Sequence, residues 1–105
     1  MLNMPSKEVL NSLPLLYTTE DVPAGRKLLY LHFFFGNCHW FACEFDGEDL
    51  FFGYAILNGD MQNAEWGYFT LSELNDICLY GFEVVRDLEW EPLPAAKVEL
   101  LKGWL

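Results

Sequence analysis

Between Lys27 and Arg86 the chain has no lysine and no arginine. That absence excludes a basic stripe able to track a phosphate backbone, so neither direct nucleic-acid binding nor attachment to an anionic membrane is expected. No run of about 18 apolar residues exists, which excludes a spanning helix. Met1–Pro5 has neither a basic n-region nor an apolar h-region, so no secretory signal is expected. Cysteine is scarce and odd in number: Cys38, Cys43 and Cys78 imply reduced thiols in a cytosol. There is no C-x-x-C or H-x-x-x-H pair, no twelve-residue calcium loop and no glycine loop to cradle a phosphate, so no metal and no cofactor are expected.

Acid and aromatic residues are abundant instead. The Lys27–Arg86 interval holds nine acids: Glu44, Asp46, Glu48, Asp49, Asp60, Glu65, Glu73, Asp76 and Glu83. Across 105 residues, 16 acids face 6 basic residues, a net charge of −10. The partners this favours carry positive charge: a basic protein surface, or a cation. An acidic coat also serves solubility alone. A hydrophobic share of 52% and an aromatic share of 17% exclude a disordered chain despite the charge. The length implies one domain, residues 1–105, and folding hides roughly two-thirds of the surface the unfolded chain exposes.

Patterning places the elements. Ser6 caps a short helix over Lys7–Ser12, which Pro14 stops at Leu13. Leu15–Tyr17 reads as a short strand or extended lead-in, and Pro23-Ala24-Gly25 as a loop. Lys27–Phe35 is apolar on both faces and reads as a central strand. After the Gly36-Asn37 turn, Trp40–Asp46 forms the next strand, with Phe41, Cys43 and Phe45 on one face and Trp40, Ala42, Glu44 and Asp46 on the other. Asp46-Gly47-Glu48-Asp49 turns the chain into Leu50–Leu57, where Gly53 marks a bulge or a close contact. Ala64–Phe69 is a fourth strand. Thr70 and Glu73 form a capping box for a helix with Leu71, Leu74, Ile77 and Cys78 as its apolar stripe. Phe82–Trp90 is a fifth strand, and a C-terminal helix is expected from Pro94 or Ala95 to about Trp104, burying Val98, Leu101 and Leu105. The fold class is therefore α+β: an antiparallel sheet of about five strands, a helix after strand four and a C-terminal helix.

Five short stretches carry a resemblance. They are Leu13-Pro14-x-x-Tyr17-x-Thr19-Glu20, Trp40-Phe41-Ala42-x-Glu44-Phe45-Asp46, Leu50-Phe51-Phe52-Gly53, Glu65-Trp66-Gly67-Tyr68-Phe69-x-Leu71-x-Glu73-Leu74 and Arg86-Asp87-Leu88. Their order and spacing, from about Leu13 to Pro94, resemble the bacterial domain of unknown function 2958 family. The resemblance implies a small protein carried by plasmids, conjugative elements and phages, hence the cytoplasm of a bacterial host. It implies no established activity and no catalytic residues.

The residues themselves offer little catalytic chemistry. Cys38 and His39 are adjacent, so on a strand they point to opposite faces and do not form a nucleophile–base pair; only a place in the turn lets them face one another. Glu44 and Asp46 share a face about 6.6 Å apart by strand rise, a spacing compatible with acid–base work or a hard cation. The expectation is a protein that is not an enzyme. Duplex DNA carries one charge per about 3.4 Å on each strand, and neighbouring acidic edges approach that density. Together with the mobile-element setting, this points to mimicry of DNA at the basic surface of a host defence nuclease, as in anti-CRISPR or anti-restriction proteins. The expected contact set is Glu44, Asp46, Glu48, Asp49, Asp60 and Glu65, with Trp40 and Trp66 as aromatic anchors and Asp87, Glu89 and Glu91 as a second patch. The alternative is an adaptor or regulatory module that binds a partner protein through exposed aromatics. A Cys/His or carboxylate enzyme is the third reading.

Overall fold

Phe33 and Phe41 have no exposed surface, yet they belong to two separate hydrophobic clusters on opposite faces of one sheet. A computed structural model describes residues 1–105. The chain runs α1 (Lys7–Leu10), a 3₁₀ turn (Ala24–Arg26), β1 (Leu28–Leu29), β2 (Leu31–Phe35), β3 (Cys38–Phe45), β4 (Leu50–Ile56), a 3₁₀ turn (Met61–Asn63), β5 (Glu65–Thr70), α2 (Leu71–Asp76), β6 (Cys78–Leu79), β7 (Phe82–Glu83), β8 (Val85–Arg86), β9 (Leu93–Pro94) and 3₁₀ turns at Ala95–Lys97 and Glu99–Leu101. Five strands form an antiparallel sheet in the order β5-β4-β3-β2-β8. The architecture is α+β with little helix, and no helix is long and apolar enough to cross a membrane.

The doubly apolar pattern of β2 and β3 is explained by cover on both sides. Leu31, Phe33, Trp40, Phe51 and Phe69 meet Leu10, Leu13 and Leu74 from the helical side. Phe41, Tyr54 and Ile56 meet Ala95, Val98 and Leu101 from the C-terminal segment. At roughly 1.5–3 kcal/mol for each large apolar side chain fully buried, these two layers are the main favourable term in folding.

β3 is not a regular strand. Its register against β4 shifts between Ala42 and Glu44, so Ala42 faces Gly53 while Glu44 faces Phe52. A bulge inserts one residue and reverses the alternation beyond it. Phe45 therefore joins the Trp40–Ala42 face, and Glu44 moves to the Phe41–Cys43 side, the reverse of the expected partition. Gly53 lies opposite the distortion: a Cβ there would stand 1.9 Å from the Phe41 carbonyl oxygen, so only glycine fits.

Other expectations shift for physical reasons. The first strand is broken at Tyr30 into β1, paired with β9, and β2, paired with β3 and β8. Leu15–Tyr17 is not a strand: Leu15 is irregular and the chain turns from Leu16 onward. The fifth strand of the sheet is reduced to Val85–Arg86, because Phe82–Glu83 folds back onto Cys78–Leu79. The N-terminus lies along that short edge, where Leu2 N–H donates to the Val84 carbonyl and Arg86 N–H to the Leu2 carbonyl. The C-terminal helix is replaced by two 3₁₀ turns separated by extended Val98. Ala95, Val98 and Leu101 recur at three residues, the 3₁₀ period, and all three are buried, whereas Leu105 is exposed.

Candidate functional site

Two polar side chains lie inside the molecule, Glu44 and His32. A buried ionisable group is costly unless hydrogen-bonded, so each draws a cluster of partners around it. The bulge turns Glu44 toward the segment after Pro14, which is docked by the Phe45 N–H donating to the Pro14 carbonyl at 2.9 Å. Glu44 is 3% exposed. Its Oε1 accepts the Tyr17 N–H at 2.9 Å, and its Oε2 accepts the Thr19 N–H at 3.0 Å and the Thr19 hydroxyl. Lys27 Nζ reaches the same threonine, donating to its carbonyl and, at 3.1 Å, to its Oγ1. Tyr17 adopts φ +69°, a left-handed conformation that costs a bulky residue on the order of 1–3 kcal/mol. The carboxylate that receives its N–H helps to hold it there.

Above this anchor opens a cleft of about 270 Å³ lined by Tyr17, Glu20, Lys27, Glu44, Phe52 and Tyr68. Phe52 and Tyr68 sit opposite one another on β4 and β5, ring centroids 5.2 Å apart, and Lys27 Nζ lies 6.0 Å from the Phe52 centroid. Desolvation, the neighbouring Tyr17 phenol and the charges of Glu44 and Glu20 raise the Tyr68 phenol above its ordinary value. Behind the cleft, burial pushes the Cys43 thiol up, with Glu44 adding to the rise and Thr19 and Lys27 opposing it. That is the behaviour of a small core residue and not of an activated nucleophile.

His32 anchors the second cluster. Its Nδ1 is 3.0 Å from Asp87 Oδ2, and its Nε2 is 2.9 Å from His39 Nδ1. With Asp87 accepting from Nδ1–H, Nε2 accepts the His39 Nδ1–H, so the hydrogen-bond chain assigns both tautomers. His32 stacks on Phe41 at 4.7 Å and against Trp90 at 5.2 Å. Burial lowers His32 below its ordinary value despite the hydrogen bond and charge of Asp87. Burial and the nearby His32 lower His39.

A third feature projects from the sheet. The β6–β7 hairpin turns through Tyr80 and Gly81, both at positive φ (53° and 81°), the geometry of a tight two-residue hairpin turn. Tyr80 is 91% exposed and Phe82 72%. Beside them an apolar groove of about 390 Å³ is lined mainly by Phe34, Phe35, Leu79, Tyr80, Phe82 and Val85.

The acids expected to form one surface are dispersed. Glu44 is buried at the floor of the cleft, its oxygens held by Tyr17 and Thr19, and does not share an outer surface with the other acids. Asp46 sits in the turn, not beside Glu44 on a strand face, and its Oδ1 accepts the N–H groups of Glu48, Asp49 and Leu50 at 2.8, 2.8 and 3.0 Å. Desolvation raises the Asp46 carboxyl, and those N–H groups outweigh it and hold it below its ordinary value. Asp49 accepts the Ser72 N–H at 2.9 Å and the Ser72 hydroxyl at 2.6 Å, tying the turn to the start of α2. Asp60 caps the Met61–Asn63 turn. Glu48 and Glu65 are exposed, at opposite ends of the β4–β5 pair, whose paired length from Leu50 to Ala55 is roughly 17 Å by strand rise. Trp40 is in the core, and Trp66 is half-buried, stacked on Phe52 at 5.7 Å. Asp87 of the second patch belongs to the histidine chain. Cys38 and His39 do point apart: Cys38 packs with the helical-side core and His39 stacks with His32 and Phe41.

Sequence reasoning missed the cleft residues Tyr17, Glu20, Lys27, Phe52 and Tyr68, the Asp87–His32–His39 chain, and the exposed pair Tyr80 and Phe82. One signal for the cleft was in hand: four of the five stretches that carry the resemblance meet there, through Tyr17 and Glu20, Glu44, Phe52, and Tyr68. Compared with known families, residues 19–98 match the model described as a protein of unknown function (DUF2958). No curated protein and no solved structure matches the chain.

Proposed function

The chain belongs to the DUF2958 family of proteins of unknown function, and from that premise we propose that it is a non-enzymatic binding protein whose partner presents a basic protein surface. The observation that carries the reading is the exposed Tyr80–Phe82 tip beside an apolar groove, on a chain without a lysine or arginine between Lys27 and Arg86. Buried aromatic anchors supply most of the energy at protein interfaces, and complementary charge selects the partner and speeds encounter. The partner class that fits is a nucleic-acid-binding defence protein in the cytoplasm of a bacterial host. A stricter form of the reading, in which carboxylates stand in for duplex phosphates, rests on two groups of acids: Asp46, Glu48 and Asp49 at one end of the β4–β5 edge, Asp60 and Glu65 at the other.

The test is retention. Tagged full-length chain is passed over lysate of a bacterium encoding defence nucleases, at about 50 mM and about 500 mM salt, where screening of exposed charges differs severalfold in range. We expect a basic nucleic-acid-binding protein to be retained by the wild type and lost by a Tyr80→Ser, Phe82→Ser double variant. Competition by duplex DNA, with loss at high salt, is the outcome that favours the mimicry form. Retention at high salt favours the aromatic anchor. Equal retention by the double variant, or no retained protein, overturns the proposal.

A further inference from the structure

We infer that the cleft between the Tyr17–Glu20 turn and the β4–β5 face takes the guanidinium of an arginine side chain presented by the partner, an assignment that rests on the binding-protein reading. The cleft's volume of about 270 Å³ falls just below the roughly 300–1,000 Å³ of pockets for drug-sized ligands, which suits one side chain. Its walls are aromatic: Phe52, Tyr68 and Tyr17, the two tyrosines 54% and 60% exposed. Its charges are Glu20, Glu44 and Lys27.

Lys27 is the obvious objection, because it places a cation in the same cleft. Its Nζ, however, donates to Thr19, the residue whose N–H and hydroxyl hold Glu44, and lies 6.0 Å from the Phe52 centroid, which leaves the exposed Tyr68 and Tyr17 faces to the guanidinium. Lys27 and Glu44 thus offset one another across Thr19. Glu20 has no ion-pair partner and stands exposed at the mouth. The Tyr68 phenol is raised first by desolvation and the Tyr17 phenol, and the charges of Glu44 and Glu20 add to that rise. An arginine suits this lining better than a lysine. Guanidinium is planar and weakly hydrated, so it stacks on aromatic faces while donating in its plane to a carboxylate; a hydrated ammonium does this less well. The site is also firmly framed. Tyr17 is held in a left-handed conformation from below by Glu44, and Phe52 is braced by Trp66 on its neighbouring strand.

The probe is N-acetyl-arginine amide, titrated into the isotopically labelled full-length chain and followed by NMR, with N-acetyl-lysine amide as comparison. The result expected is saturable shifts of the Tyr17, Thr19 and Tyr68 amides in the millimolar range, with the lysine amide at least about threefold weaker. Glu20→Gln and Tyr68→Leu, both at exposed positions, are expected to weaken the arginine amide by fivefold or more while resonances of the opposite sheet face stay in place. Absence of saturable shifts, equal response to the lysine amide, or unchanged affinity in both variants overturns the inference. The two proposals fail separately. Hairpin-dependent retention of a partner with no arginine-amide binding removes the cleft assignment alone. Arginine-amide binding with no retained partner supports the cleft and counts against the wider reading.

Discussion

Glu44 and Glu48 are four residues apart and carry the same functional group, yet one is a structural anion and the other a free surface charge. The difference is hydrogen bonding. Bonds to a charged group are worth about 1.5–3 kcal/mol each when buried, and Glu44 collects three. The histidines follow the same logic with the opposite charge preference. Burial favours the neutral form of His32 and His39 and lowers both below the ordinary value of 6.5. The unfolded chain therefore takes up protons first as pH falls through about 6.5. This contribution to stability is complete above that value and declines as pH drops toward the folded-state values. Protonating both rings also sets N–H against N–H across the 2.9 Å contact. We expect the thermal midpoint to fall between pH 7.5 and 5.5, with a shallower slope in a His39→Phe variant, measured by circular dichroism. A flat profile in the wild type, or an equal slope in the variant, contradicts this.

At the scale of elements, the bulge in β3 decides what the cleft contains. Without the extra residue, Glu44 falls on the helical side of the sheet with Trp40 and Ala42, and Tyr17 and Thr19 lose their acceptor. Gly53 is the condition for that bulge, since its missing Cβ makes room for the Phe41 carbonyl. Gly53→Ala is expected to destabilise by about 3 kcal/mol, the upper end of overpacking costs, because the obstructing atom is backbone and cannot rotate away. Chemical denaturation measures this. A loss below about 1 kcal/mol shows that the strands part easily and that the bulge is not held by the glycine. Other elements were readable one by one. The Thr70–Glu73 capping box makes both of its bonds, and Ser6 accepts the Val9 N–H at 3.2 Å. Both motifs are local: donor and acceptor are three residues apart, so no tertiary information is needed to place them. The C-terminal segment differs because its three-residue spacing of apolar positions reads as either helix type until the surface it packs against is known.

Taken whole, the molecule is strongly unbalanced in charge. Its ion pairs are few: the N-terminal amine with Glu83 at 3.1 Å and Lys102 with Glu99 at 2.8 Å, the latter on the surface, while the 3.0 Å contact of Asp87 is with a His32 whose burial favours the neutral ring. Self-repulsion then outweighs attraction, and screening relieves it. The midpoint is expected to rise by a few degrees between about 10 mM and about 300 mM sodium chloride at pH 7.5, a change calorimetry detects, because the screening length shortens severalfold over that range. A fall with salt indicates that attractive pairs dominate.

The sequence by itself determined the α+β class, the meander of apolar strands, the Ser6 cap and the Thr70–Glu73 capping box, the role of Gly53 at a close approach and the excess of negative charge. Each of these follows from residue identity at short range or from composition. Only the tertiary structure decided which acids face solvent. A one-residue bulge reverses a strand's faces, and a carboxylate's role depends on donors brought to it from distant segments: Tyr17 and Thr19 lie 27 and 25 residues from Glu44. It also brought His32 to Asp87 across 55 residues, and it left Tyr80 and Phe82 exposed by folding Phe82–Glu83 back on Cys78–Leu79. Those placements depend on strand pairing between residues far apart in the chain, a choice made by the packing of the whole sheet and not by any local pattern.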